Sequence, residues 1–232
     1  MNNKLAILVV LSVCVGVHGE AGGQTPLPIE LSIGAVGGIS FSHVVSDSLM
    51  ESFFEPTSNV EPINAAVFGA HFGARLNRFL GFSVGLQYEK KGQKTTPTKV
   101  TFADDIFEHD FESMTILNYV AVPVVVRGGY GEDRFWAFVR GGIVPSRLAG
   151  HDFVWVIDDR EVGKGSNRMP SVQASWYDVS LLGGLEVGIR FARSGIFVCG
   201  DYEHGLKRIA EGLSGGAYNR SFLTYAGYRF FF

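Results

Sequence analysis

From Phe79 to Lys91 the chain alternates without a break. Leu80, Phe82, Val84, Leu86 and Tyr88 share one parity, and Gly81, Ser83, Gly85, Gln87 and Glu89 share the other. Successive side chains of a strand point to opposite faces, so this stretch reads as a strand with one apolar wall and one small or polar wall. It is also long. Soluble strands are mostly about 5–6 residues, whereas about 9–11 are needed to cross a bilayer at a tilt. Length and parity together restrict the fold more than anything else in the sequence.

The pattern recurs. Over Tyr177 to Phe191, Val179, Leu181, Leu185, Val187, Ile189 and Phe191 alternate with Asp178, Ser180, Gly184, Glu186, Gly188 and Arg190. The last stretch, Phe222 to Phe232, sets Phe222, Tyr228, Phe230 and Phe232 against Gly227 and Arg229. Five further stretches fit: Ile29–Phe41, Asn64–Asn77, Met114–Arg127 around Val122-Pro123-Val124, Arg134–Val144 and Gly195–Leu206. The connections alternate in length. Short ones fall at Asn77-Arg78, Gly128 to Asp133 and Arg193-Ser194; long ones run from Ser42 to Ile63, Gly92 to Ser113, Ser146 to Ala174 and Lys207 to Tyr218. Short turns at one end and long loops at the other are the habit of outer-membrane barrels. The expectation is all-β: an eight-stranded antiparallel up-and-down transmembrane β-barrel over 29–232, with turns and termini in the periplasm and long loops outside the cell.

Face sorting supports a bilayer. The inward parity carries Glu30, Glu89, Asp178, Glu186, Asp201 and Glu203 with Arg75, Lys91, Arg127, Arg140, Arg190 and Arg229, and His71 joins them. The outward parity is almost free of charge at mid-strand, where a charge facing lipid costs about 2–4 kcal/mol. A water-soluble barrel would show the reverse. Eight strands enclose a space that side chains can just fill, and opposite charges inside satisfy one another, so the lumen is expected to be plugged. Tyr88, Trp136, Trp176, Tyr177, Tyr202, Tyr225 and Tyr228 are candidates for the aromatic girdles at headgroup level.

The first residues read as an export signal. Lys4 precedes an apolar run from Leu5 to Val17, far shorter than the roughly 20 residues of a spanning helix. Cleavage fits after Gly19, giving a signal over 1–19, or as late as Ala21; residues 20–28 then form a short periplasmic segment. Cys14 in Leu-Ser-Val-Cys offers a lipoprotein alternative, against which Val13 is not the small residue wanted there. Cleavage leaves Cys199 alone, without an internal disulfide. A net charge of −3 with no basic stripe gives no nucleic-acid footprint.

Chemistry-bearing constellations are sparse. His71 and His204 are the histidines placed within strands, and a nucleophile–histidine–acid group in a barrel wall would suit lipid hydrolysis. The competing readings are a luminal polar residue for His71 and a rim residue for His204. His43, His109 and His151 fall in loops without paired spacing. Asp104, Asp105, Glu108 and Asp110 form an acidic cluster lacking the spacing of a calcium loop, and Asp158-Asp159 reads likewise as solvated charge. Gly34, Gly37 and Gly38 sit mid-strand, with no helix following to bind phosphate. No cofactor, metal or catalytic residue is expected.

Several motifs resemble a known family. Gly34-Ala35-Val36-Gly37-Gly38, the run Gly85-Leu86-Gln87-Tyr88-Glu89-Lys90-Lys91-Gly92, and Tyr119-Val120-Ala121-Val122-Pro123 occur in order. Gly183-Gly184-Leu185-Glu186, Tyr202-Glu203-His204-Gly205-Leu206 and the aromatic terminus follow. Together they are similar to the PorT-like, or porin-family, outer-membrane β-barrel domain proteins across the mature chain. The resemblance implies a barrel rather than an activity, although PorT-type members are associated with secretion across the outer membrane. It also implies that Tyr228, Phe230 and Phe232 form the C-terminal signal read by the barrel assembly machinery. The expected partners are outer-membrane lipid, that machinery, and a secretion-complex or extracellular protein. Three readings stay open: a structural or binding barrel acting through its loops, a lipid A or phospholipid hydrolase, and a narrow channel.

Overall fold

The structure, a computed structural model, describes residues 29–46, 60–95, 98–100, 109–131, 134–158, 160–166, 173–208, 210–212 and 215–232. The proposed signal segment, the Asp104/Asp105/Glu108 cluster and Asp159 lie outside these residues.

The described strands are β1 (Glu30–Ser46), β2 (Val60–Arg75), β3 (Leu80–Thr95), β4 (Thr98–Val100), β5 (His109–Ala121), β6 (Val124–Gly131), β7 (Phe135–Ile157), β8 (Arg160–Ser166), β9 (Gln173–Ala174), β10 (Tyr177–Phe191), β11 (Ser194–Gly205), β12 (Ala210–Gly212) and β13 (Gly215–Phe231). Eight staves close a ring: β1, β2, β3, the β5–β6 pair, β7, β10, β11 and β13, which returns to β1. Every pairing between staves is antiparallel. The closing ladder runs from Ser32↔Phe231 to Ser46↔Ala217. Beyond it, the Phe232 amide donates to the Leu31 carbonyl at 3.0 Å. Closure leaves no open edge around the ring, as a bilayer requires.

The fourth stave is broken at Val122-Pro123 because proline has no amide hydrogen to give the ladder. Neighbours bridge the gap: the Val122 amide donates to the Pro145 carbonyl at 2.8 Å, and the Gly85 amide donates to the Pro123 carbonyl at 2.9 Å. The three tight turns lie near the positions read from sequence, between Arg75 and Leu80, Gly131 and Phe135, and Phe191 and Ser194. In the first, Asn77 Oδ1 accepts from the amides of Phe79 and Leu80, both at 2.8 Å. In the last, Ala192 takes a left-handed φ of 53°.

Loop lengths are where the structure corrects the sequence reading. β1, β2, β3, β5 and β7 all run on into the expected loops, and β7 reaches 23 residues. Where they are described, the long connections are therefore largely strand: β4, β5, β7 and β8 continue as a sheet beyond the closed ring. His43, His109 and His151, expected in loops, lie in β1, β5 and β7.

Parity decides what each wall faces. On β10 the burial alternates from exposed Tyr177 and buried Asp178 through to exposed Phe191. Ile33, Leu86, Val139, Leu185, Val198 and Phe222 point outward and exposed. Inside, Val36, Val67, Trp136, Phe138, Phe197, Leu223, Tyr225 and Phe231 pack together. The Trp136 indole lies where Gly188 has no side chain: a Cβ there would come 2.2 Å from the ring.

Candidate functional site in the barrel lumen

The inward polar residues sort into three levels. At the turn end, Glu30 pairs with Arg190 at 2.5 Å and faces Arg75 at 3.6 Å. Arg75 also donates to the Gly131 carbonyl at 2.6 Å and Arg190 to the Ala192 carbonyl at 2.7 Å, so both guanidiniums fasten turns.

At mid-barrel, Glu186 is the hub. Arg229 grips it with two nitrogens at 2.7 and 3.2 Å, Arg127 approaches at 3.4 Å, and the Trp136 indole N–H donates at 2.8 Å. Arg140 lies 3.9 Å from Glu186 and pairs with Asp201 at 2.8 Å. Tyr225 donates to Asp201 at 2.5 Å and contacts Arg140. His71 Nε2 accepts from Arg229 Nε at 3.1 Å, and its ring meets Phe197 edge-on.

At the loop end, Lys91 bridges Glu203 at 2.7 Å and Glu89 at 2.9 Å. Asn219 donates to Asp178 at 2.7 Å and to the Tyr119 hydroxyl at 3.3 Å. An apolar layer of Leu117, Tyr119, Leu148 and Val44 packs at this end.

All thirteen luminal residues read from sequence thus lie on the inner wall, and each level pairs acids with bases. The levels are unequal, however. The loop end holds Glu89, Glu203 and Asp178 against Lys91, while the two lower levels hold Glu186, Asp201 and Glu30 against five arginines. Two aromatic assignments are corrected. Trp136 and Tyr225, expected at the membrane girdles, are 3% and 5% exposed and belong to the lumen. Tyr88, Tyr177, Tyr202 and Tyr228 carry the outward parity, and Trp176 is exposed just before β10. The corrective signal was in the sequence: Trp136 shares parity with Arg140, and Tyr225 with Arg229. Asn219 and Tyr119, central at the loop end, carry no comparable signal, because uncharged polar residues do not mark a face by themselves.

His71 points inward and His204 outward, so the two do not share a site. Among the described residues no three of His, Cys, Asp and Glu are placed to hold a metal ion. Beyond the ring, His109 Nδ1 and Asp158 Oδ2 lie 2.6 Å apart, and the Asp110 amide donates to Asp158 Oδ1 at 3.0 Å. Those two contacts hold the Asp158 carboxyl below the usual carboxylate range, the His109 hydrogen bond contributing most.

A closed ring of bilayer-length staves with a polar inside and an apolar outside meets its family in sequence as well. The family model for the outer membrane protein beta-barrel domain matches residues 22–211. The chain belongs to that family. As one of its members it is a protein of the bacterial outer membrane. Among solved structures it is similar to Ail, the attachment invasion locus protein of Yersinia pestis, at 14% identity over 88% of this chain and 100% of that one, with a TM-score of 0.39. It is also similar to the outer membrane protease OmpT of Escherichia coli, at 12% identity over 92% and 99%, TM-score 0.46. The outer membrane protein OprG of Pseudomonas aeruginosa gives 11% identity over 88% and 95%, TM-score 0.43. No curated protein matches the chain in sequence.

Proposed function

We propose that this outer-membrane barrel is a plugged, non-enzymatic scaffold that works through the β-ribbon at its loop end, in a structural, binding or PorT-like secretion-associated role. The observation that carries this reading is the crossed lumen. The Glu186 hub ties β6, β7, β10 and β13 together across the interior, and Lys91 joins β3 to β11. Two cavities at the hub and turn-end levels, both lined by Arg229, have about 20 Å³ of free space each, room for about one water. A pathway for ions needs a continuous water column, which these bridges interrupt.

The orientation follows from export: termini and tight turns face the periplasm, and the ribbon stands outside the cell. There the β5–β7–β8 sheet offers Phe153 and Trp155, ring centroids 5.2 Å apart, to an extracellular or secretion-complex partner. Purified protein in planar bilayers is expected to give no stable unitary conductance. Steady single-channel steps from the wild type would overturn the plugged reading in favour of a narrow channel. Lipid A or phospholipid deacylation that disappears in His71→Ala or His204→Ala would overturn the non-enzymatic one.

A further inference from the structure

Three adjacent staves carry an ordered pair of rows on their outward face, near the loop end. In the lower row Phe222 pairs across the ladder with Tyr202 on one side and Phe41 on the other. All three are exposed. One step toward the loops, Arg220 pairs with His204 and His43 in the same way. Two residues past the end of β11 stands Lys207, exposed, and Arg208 Nε donates to the hydroxyl of Tyr218 at 3.2 Å, one outward step above Arg220. Carboxylates of these strands, Asp201 and Glu203, point the other way, into the lumen. Arg220 Nε is shielded from solvent and makes no hydrogen bond, and no ion pair among the described residues includes Arg220.

An aromatic row marks the depth at which acyl chains give way to headgroups. Cations directly above it lie at the depth of lipid phosphates, and a guanidinium turned toward lipid is stabilised by an anion at that depth. We propose that the His43–Arg220–His204 row, with Lys207 and Arg208, binds a phosphate monoester on a lipid headgroup in the loop-side leaflet, while Phe41, Tyr202 and Phe222 lie along its acyl chains. The row lies within the β1–β13 and β11–β13 ladders of the closed ring, so its ligand comes from the membrane plane. Arg220, Lys207 and Arg208, with no outward carboxylate among the described residues of β1, β11 and β13, suit a dianionic monoester better than a singly charged diester. The assignment rests on the loop end being the extracellular end, which labelling of a cysteine introduced at Lys164 on intact cells tests separately.

The full-length protein in detergent is titrated with bis-phosphorylated lipid A, phosphatidylglycerol or inorganic phosphate, and bound lipid is counted by native mass spectrometry. Lipid A is expected to bind in preference to phosphatidylglycerol, and inorganic phosphate is not expected to displace it at matched concentration. Arg220→Gln is expected to weaken lipid A binding by about tenfold, as loss of one charge-assisted contact does. Arg220→Lys restores part of it, and Arg147→Gln, an outward arginine on β7 away from the row, leaves it unchanged. Heat-modifiable gel migration confirms that each variant is folded. Equal binding by wild type and Arg220→Gln overturns the proposal, as does preference for the diester or displacement by inorganic phosphate.

Discussion

Two guanidiniums and an indole N–H converge on the carboxylate of Glu186, which is 2% exposed, and a third guanidinium stands 3.9 Å away. Such a hub is asymmetric in its energetics. The intact cluster gives little net stability, because desolvating each charge offsets most of the attraction, but removing one member strands the others in a buried space. Glu186→Ala would leave Arg127 and Arg229 without a carboxylate partner in the lumen and is expected to cost about 3–5 kcal/mol. Glu186→Gln keeps the volume and one acceptor for Trp136, and should cost less. Urea titration in lipid vesicles checks this, with tryptophan emission as the signal, since Trp136 bonds directly to Glu186. An unchanged unfolding midpoint for Glu186→Ala would show that the hub is dispensable. At this scale most of the site was legible: inward charges follow parity, and a charged side chain that faces lipid at mid-depth is too costly to keep. Trp136 and Tyr225 escape that reading because their aromatic type points to the membrane girdles while the parity of their own strands points inward.

The eight staves were legible because membrane and lumen impose opposite demands on the two faces, and parity records that contrast. Beyond the ring the contrast fades. From His109 to Ile116 in β5, residues of both parities are half-buried or exposed, with Phe111, Glu112, Ser113 and Met114 alike half-buried. With no lipid on one side, alternation no longer separates strand from loop, and the ribbon read as irregular connection. Its tip depends instead on local polar contacts. Asp158 takes a left-handed φ of 48° and is bound by His109 and the Asp110 amide. Its pKa is lowered in the folded state, so the stabilisation is present above the unfolded value of about 4 and is lost as the pH falls through the folded value. Below about pH 4, hydrogen exchange at the Asp110 and Asp158 amides should accelerate while exchange in the β1–β13 ladder does not. Asp158→Asn, which tolerates the same backbone conformation but carries no charge, should show the faster exchange already at neutral pH. Acid-insensitive exchange at these amides would show that the pair does not hold the tip.

For the whole molecule the decisive step is closure of β13 on β1, and the end of the chain takes part in it twice. Phe231 turns inward and meets Trp136 edge-on, with ring centroids 5.9 Å apart, so it belongs to the luminal core. Phe230 and Phe232 turn outward and stack at 6.4 Å, beside Tyr228 on the same face. Tyr228 also bonds the Ser194 hydroxyl of β11, but Phe230 and Phe232 add only lipid contact to the finished barrel, while the ladder is held by backbone groups such as the Leu31–Phe232 pair. Their proposed role as the signal read by the assembly machinery therefore separates from stability. Phe232→Ala keeps the backbone pairing, so refolding into lipid vesicles should give a urea midpoint close to wild type. Expressed in cells, the same variant should put severalfold less heat-modifiable barrel into the outer membrane. Phe231→Ala should behave in the opposite way, losing stability in vesicles through a cavity beside Trp136. If Phe232→Ala lowers the vesicle midpoint as much as Phe231→Ala does, the outward aromatics are part of the wall alone and the assembly signal lies elsewhere.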